Sequence, residues 1–200
     1  HIATPSTGMT LDVLTEIALA NNPTLVQAVA DVDAARGNWV QVGLYPNPNM
    51  GYLGNQIGDQ GRAGQQGGYV EQEFVRGRKL PLNREVAAKE IAMARQRLTA
   101  QRMRVVNDVK IQFYNTLVAQ RTLGISQDLV AIGKRGANAA NDLFEAKETS
   151  RIDVLQARIE VNNAHIAAAN AQNRADAAWR RLASLVGVPG MEPSIVTGDL

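Results

Sequence analysis

Apolar residues recur at helical spacing over most of this chain, and the one interval where they do not is central and rich in glycine. The first ten residues, with Pro5 and Gly8, read as an extended lead-in. Thr10 then predicts the cap of a short helix over Leu11 to Leu19, with Leu11, Leu14, Ala18 and Leu19 on one side. Asn21-Asn22-Pro23 ends that helix, because proline disfavours helix in the residue before it. Thr24 starts another, running towards Leu44 and rich in alanine at Ala28, Ala30, Ala34 and Ala35.

Past the glycine-rich interval, Pro81 suits the first turn of a helix, and no proline follows until Pro189. Leu98, Val105, Val109, Phe113, Leu117, Leu129 and Ile132 keep helical spacing. Glu148-Thr149-Ser150 interrupts them, and Ser150 with Asp153 three residues on is an N-cap signature. Ile152, Leu155, Ile159, Ile166, Leu182 and Leu185 mark a second helix. The first is roughly 65 residues or about 100 Å, the second roughly 36 residues or about 54 Å. A compact domain of this size is far narrower, so the pattern predicts an elongated molecule. Gly124, Gly133 and Gly136 inside the long helix each cost about 1 kcal/mol against alanine and mark a place for a bend. Gly187, Pro189, Gly190 and Pro193 end the second helix and leave a connector to Leu200.

The interval from Tyr45 to Gly77 is rich in Gly, Asn and Gln and opens with Pro46 and Pro48. Two segments, Asn49 to Ile57 and Gly67 to Val75, carry the β-favouring Tyr52, Ile57, Tyr69, Val70, Phe74 and Val75. They predict a strand pair joined by a long loop over Gly58 to Gly64. The alternative is a disordered glycine-rich linker. The expected fold is mainly α, an antiparallel helical hairpin carrying a two-strand β segment. One domain over 1–200 would hold short helices (10–44), the strand pair (47–76), a long helix (81–147), a shorter helix (150–186) and the connector (187–200).

Composition narrows the class. Aromatics are 4% of the chain, which suits long helices packed through small residues better than a compact core. With no cysteine there is no disulfide, thiolate metal site, cysteine nucleophile or lipid-modified cysteine. A formal charge of +2 is too small an excess to argue for nucleic acid, and neither interleaved aromatics nor a groove-reading module appears. No run approaches the roughly 18 apolar residues of a membrane helix, and no signal peptide is visible.

Enzymatic chemistry finds little support. His165 stands among Asn162, Asn163 and alanines without a partner at metal-ligand spacing, which reads as a surface or seam histidine. Glu71 and Glu73 would share one strand face as a carboxylate pair, yet no nucleophile, cofactor loop or further acid accompanies them. Gly51, Gly54 and Gly58 form no phosphate loop, since no Lys-Ser/Thr follows before a helix. The sequence predicts no catalytic, cofactor or metal residues. Trp39 and Trp179 read as packing residues between helices.

Several ordered segments carry a resemblance. Thr10-Leu11 through Ala18-Leu19-Ala20-Asn21-Asn22-Pro23 comes first, followed by Ala34-Ala35-Arg36-Gly37 and Gly43-Leu44-Tyr45-Pro46-Asn47-Pro48. Val70-Glu71-Gln72-Glu73-Phe74, Gly77-Arg78-Lys79, Arg84-Glu85-Val86-Ala87 and Ser150-Arg151-Ile152-Asp153-Val154-Leu155-Gln156-Ala157 complete the set. From Thr10 to Val188 the chain resembles the first of two repeats of a TolC-family outer-membrane factor, nearest the heavy-metal and multidrug efflux branch. Two departures stand out: Lys147 occupies a place where the family usually has glycine, and only one repeat is present.

The resemblance implies a passive export duct in the outer membrane of a Gram-negative-type bacterium, with helices in the periplasm. Two strands per repeat would help close a trimeric barrel, leaving no bare backbone in lipid. Tyr52, Tyr69, Val70 and Phe74 would be its membrane-strand residues, with Tyr45, Tyr52 and Tyr69 at girdle positions. Leu143, Phe144, Lys147, Thr149, Ser150 and Asp153 at the hairpin tip would meet a periplasmic adaptor (membrane fusion) protein serving an inner-membrane transporter. The run from Arg76 to Arg104 holds nine cations against Glu85 and Glu90, read as a solvated helix face or as attraction to anionic groups at the barrel's inner edge. The competing reading is a soluble helical-hairpin interaction module with a disordered glycine-rich insert.

Overall fold

The structure, a computed structural model, describes residues 8–55 and 64–199. Its elements are α1 (Leu11–Asn21), α2 (Pro23–Gln41), β1 (Asn49–Asn55), β2 (Gln65–Glu71), α3 (Lys79–Glu145) and α4 (Arg151–Val186). The fold is mainly helical with one two-stranded antiparallel sheet. The chain divides into two compact units, His1–Val26 with Ala100–Leu200, and Gln27–Thr99.

The first unit holds a continuous apolar core. Val105, Val109 and Phe113 of α3 meet Trp179, Leu182 and Val186 of α4, with Leu14 and Ala18 of α1 and Leu25 of α2 closing the cluster. The spacing of four along α3 places its three contributors on one stripe. Asn22 is the joint between the first two helices and is itself buried. Its side-chain carbonyl accepts from the Thr24 amide (2.9 Å) and hydroxyl (2.6 Å), capping α2 at Pro23. Its side-chain amide donates to the Leu185 carbonyl at 2.8 Å, tying this joint to the end of α4. So Asn-Pro both stops α1 and starts α2.

Gly187 terminates α4 in the left-handed region (φ 87), with the Gly187 and Val188 amides returning to Ser184 and Ala183 carbonyls. That double return is a Schellman closure. A side chain there would press on the Asn21 carbonyl, 2.4 Å from an added Cβ.

The stretch after Gly187 packs back on the first unit: Val196 is buried, Met9 and Val196 form a parallel bridge, and Gln120 holds both the Ser194 carbonyl and the Val196 amide. One expectation is corrected. Thr10 sits at the N-cap position but its side chain makes no capping bond, and the start of α1 is held by the neighbouring bridge instead. α3 runs unbroken as helix through Gly124, Gly133 and Gly136.

In the second unit, Val32 of α2 and Ala87 and Ala94 of α3 are buried, a shallow seam made by small side chains. Asn38 adds a bond to Glu90 at 3.1 Å. β1 and β2 pair from Asn49↔Glu71 to Asn55↔Gln65. An ordered ladder replaces the disordered-linker alternative over these residues. Ile57 and most of the Gly58–Gly64 loop lie outside the described residues.

Candidate functional site

The strand pair has two chemically different faces. Residues opposite one another share a face, and successive residues alternate. Met50, Tyr52 and Gly54 therefore share one face with Val70, Gly68 and Gln66. Asn49, Gly51, Leu53 and Asn55 share the other with Glu71, Tyr69, Gly67 and Gln65. The first face is apolar and open: Met50 is 78% exposed, Val70 72% and Tyr52 65%. The second is mostly polar, and its tyrosine is drawn inward. The Tyr69 ring lies over Gly51, where an added Cβ would stand 2.4 Å from the ring. An aromatic ring covering a cross-strand glycine restores packing that the glycine lacks.

Three of the four predicted membrane-strand residues, Tyr52, Tyr69 and Val70, lie in the ladder. Phe74 does not, because β2 begins and ends earlier than the β-favouring residues suggest and stops at Glu71. Phe74 follows in the extended stretch, 73% exposed. Glu73 also falls beyond the strand, so no two-residue carboxylate pair is built on a strand face. Gln72 stitches the base of the pair by donating to the Pro46 carbonyl at 2.8 Å and the Glu73 carbonyl at 3.1 Å. Met50 on the apolar face and Leu53 on the other are exposed apolar residues not singled out from the sequence.

The hairpin tip joins α3 to α4 through five residues, 146–150. The Lys147 amide donates to Phe144 and the Glu148 amide to Leu143, both at 2.9 Å, closing α3 with the same double return as at Gly187. Here the left-handed position belongs to a lysine, Lys147, with φ 64. On the other side, Ser150 and Asp153 form a reciprocal capping box at the start of α4. One oxygen of Asp153 accepts from the Thr149 hydroxyl (2.6 Å), the Ser150 hydroxyl (2.8 Å) and the Ser150 amide (3.0 Å). These donors, Thr149 first, hold the Asp153 carboxyl below the ordinary carboxylate range. All six predicted tip residues are thus brought together within one turn-and-cap, with Leu143 and Phe144 48% and 40% exposed beside it.

Elsewhere, His165 is exposed on α4. Trp179 is buried and donates to the Met191 carbonyl at 3.2 Å, while Trp39 lies half-covered against Arg84. Among the described residues no group of three or more His, Cys, Asp or Glu is placed to hold a metal, and no helix is long and apolar enough to cross a membrane.

The chain thus combines long helices with a two-stranded antiparallel sheet that has one apolar and one mostly polar face. The chain belongs to the outer membrane efflux protein family, whose model matches residues 14–188. It is 26% identical over 192 residues to the cobalt-zinc-cadmium resistance protein CzcC of Cupriavidus metallidurans, covering 96% of this chain and 46% of that protein. The fold is shared with the solved structure of CusC (TM-score 0.76, 18% identity, 94% of this chain and 46% of that one). It is also shared with the outer membrane protein VceC of Vibrio cholerae (TM-score 0.73, 16% identity, 95% and 51%). The chain spans about half the length of the curated relative it matches.

Proposed function

We propose that this chain supplies one of two repeats of the outer-membrane channel in a tripartite export system, a passive conduit spanning outer membrane and periplasm. The observation that carries the reading is the strand pair, whose Met50, Tyr52 and Val70 face is open while the opposite face is polar. That alternation suits lipid on one side and water on the other. Two strands cannot satisfy their own edges, so the function requires further copies or a further repeat to close a barrel. Exposed Ile152, Leu155, Ile159 and Ile166 on α4 keep coiled-coil-like spacing and give neighbouring helices of a trimer an apolar seam.

The tip of Leu143, Phe144, Lys147, Thr149, Ser150 and Asp153 is the proposed contact for a periplasmic adaptor bridging to an inner-membrane transporter. Likeness to a cobalt-zinc-cadmium resistance protein favours heavy-metal export, with the pump choosing the cargo. Hydrogen exchange on the full-length protein in a bilayer tests the conduit reading. Slow exchange over 49–55 and 65–71 is expected, and rapid exchange there overturns the barrel assignment.

A further inference from the structure

The chain has two tryptophans, four tyrosines and three phenylalanines, yet Trp39, Tyr45, Tyr52, Tyr69 and Phe74 all fall within the strand-pair unit. Three of them, Trp39, Tyr45 and Phe74, stand below the ladder, before β1 or after β2. At this base lies a cavity of about 680 Å³ lined by Tyr45, Pro46, Gln72, Phe74, Val75 and Arg76. Arg76 is its one charged lining residue. A tight turn through Gly77 (φ 76) and Arg78 (φ 57) then sets Arg76, Arg78 and Lys79 side by side in the chain, all exposed.

These cations lack carboxylate partners. Among the described residues the one ion pair is Arg36 with Asp33. Arg84, five residues further on, has a buried Nε with no hydrogen-bond partner and rests on Trp39 instead. Among the described residues neither Glu71, on the strand face opposite Met50, Tyr52 and Val70, nor Glu73 makes an ion pair with these cations. An apolar strand face, an aromatic-lined cavity at its foot with Arg76 in its lining, and the exposed Arg78 and Lys79 next in the chain follow one another in the order acyl chain, glycerol region, phosphate.

We propose that the base of the strand pair is a binding site for the anionic headgroups of phospholipids. Phosphate oxygens meet Arg76, Arg78 and Lys79, and the first acyl carbons enter the cavity against Tyr45 and Phe74. Guanidinium groups suit phosphate by presenting paired donors. The inference rests on the strand pair being membrane-embedded, and it adds a lipid preference that a barrel alone does not require.

The test uses the full-length protein reconstituted in bilayers containing spin-labelled phosphatidylglycerol or spin-labelled phosphatidylcholine. Phosphatidylglycerol should be enriched at the protein, with each neutralised cation lowering that preference about fivefold at low salt. The R76Q/R78Q/K79Q variant should abolish the preference, whereas K134Q/R135Q, more than fifty residues along the chain in the other unit, should leave it intact. Arg76→Lys, which keeps the charge, should retain most of it if the triple variant assembles poorly. Equal association of the two lipids, or the same preference in the triple variant, overturns the site. Competition by millimolar inorganic phosphate would mark a free-anion site and overturn the lipid assignment. Hydrogen exchange on the same samples separates the two ideas: protected strands without lipid preference sink this inference alone, and unprotected strands sink the conduit reading.

Discussion

Arg84 lies across the face of Trp39, its guanidinium carbon 4.8 Å from the ring centroid, and so joins the start of α3 to the end of α2. Gly43 makes room for it: an added Cβ there would stand 1.8 Å from the Arg84 Nε. A cation over an indole face contributes about 0.5–1 kcal/mol at a partly exposed site. Trp39→Ala should cost at least that, and Gly43→Ala should cost a similar amount by displacing the arginine. The two effects should not add, because both remove one contact. Denaturant unfolding of both single variants and the double variant checks this, and full additivity would separate Gly43 from the pair.

At the tip, Lys147 holds a left-handed conformation that costs a non-glycine residue roughly 1–2 kcal/mol. Lys147→Gly should therefore stabilise the turn by about 1 kcal/mol, read as a higher unfolding midpoint. Lys147→Glu should keep the fold and membrane insertion but reduce adaptor capture by the full-length protein. Unchanged capture would remove the tip from the contact surface.

The capping box should titrate. Because its folded carboxyl sits below the ordinary range, Asp153 contributes stability that is present above the unfolded carboxylate pKa and lost as pH falls through the lower folded value. Exchange protection of the first turn of α4, corrected for intrinsic rates, should drop in that acid window. Asp153→Asn should flatten the dependence, and Ser150→Ala should cost about 1 kcal/mol at neutral pH.

Gly187→Ala should destabilise the first unit by about 2 kcal/mol or more, combining left-handed strain with the collision against Asn21. Asn22→Ala should cost about 1–3 kcal/mol, since it strips the α2 cap and leaves the Leu185 carbonyl without its donor. Thermal unfolding measures both, and neutral effects would deny the Asn22–Gly187 joint its role.

The two sheet faces predict opposite tolerances. Val70→Arg on the apolar face should impair outer-membrane assembly, with a cost of about 2–4 kcal/mol where the residue reaches the bilayer midplane. Gln65→Arg on the polar face should be accepted. Heat-resistant trimer on gels gives the readout, and equal yields would void the lipid-facing assignment.

Helix identities and most of their ends were legible in the chain because they depend on local chemistry. Four-residue apolar spacing, the Asn22-Pro23 joint and the Ser150–Asp153 box act within a few residues of themselves. The strand pair was legible as a type from its tyrosines and valine among glycines, although the same composition also fitted a disordered linker. Its register was not. Seven pairings from Asn49↔Glu71 decide which side chains share a face, and a shift of one residue would exchange the faces. Only the tertiary structure set Tyr69 over Gly51, Arg84 over Trp39, and the 194–198 stretch against Gln120 and Phe113. Each of those contacts joins residues far apart in sequence, where the balance between packing and loop-closure entropy is a property of the folded whole.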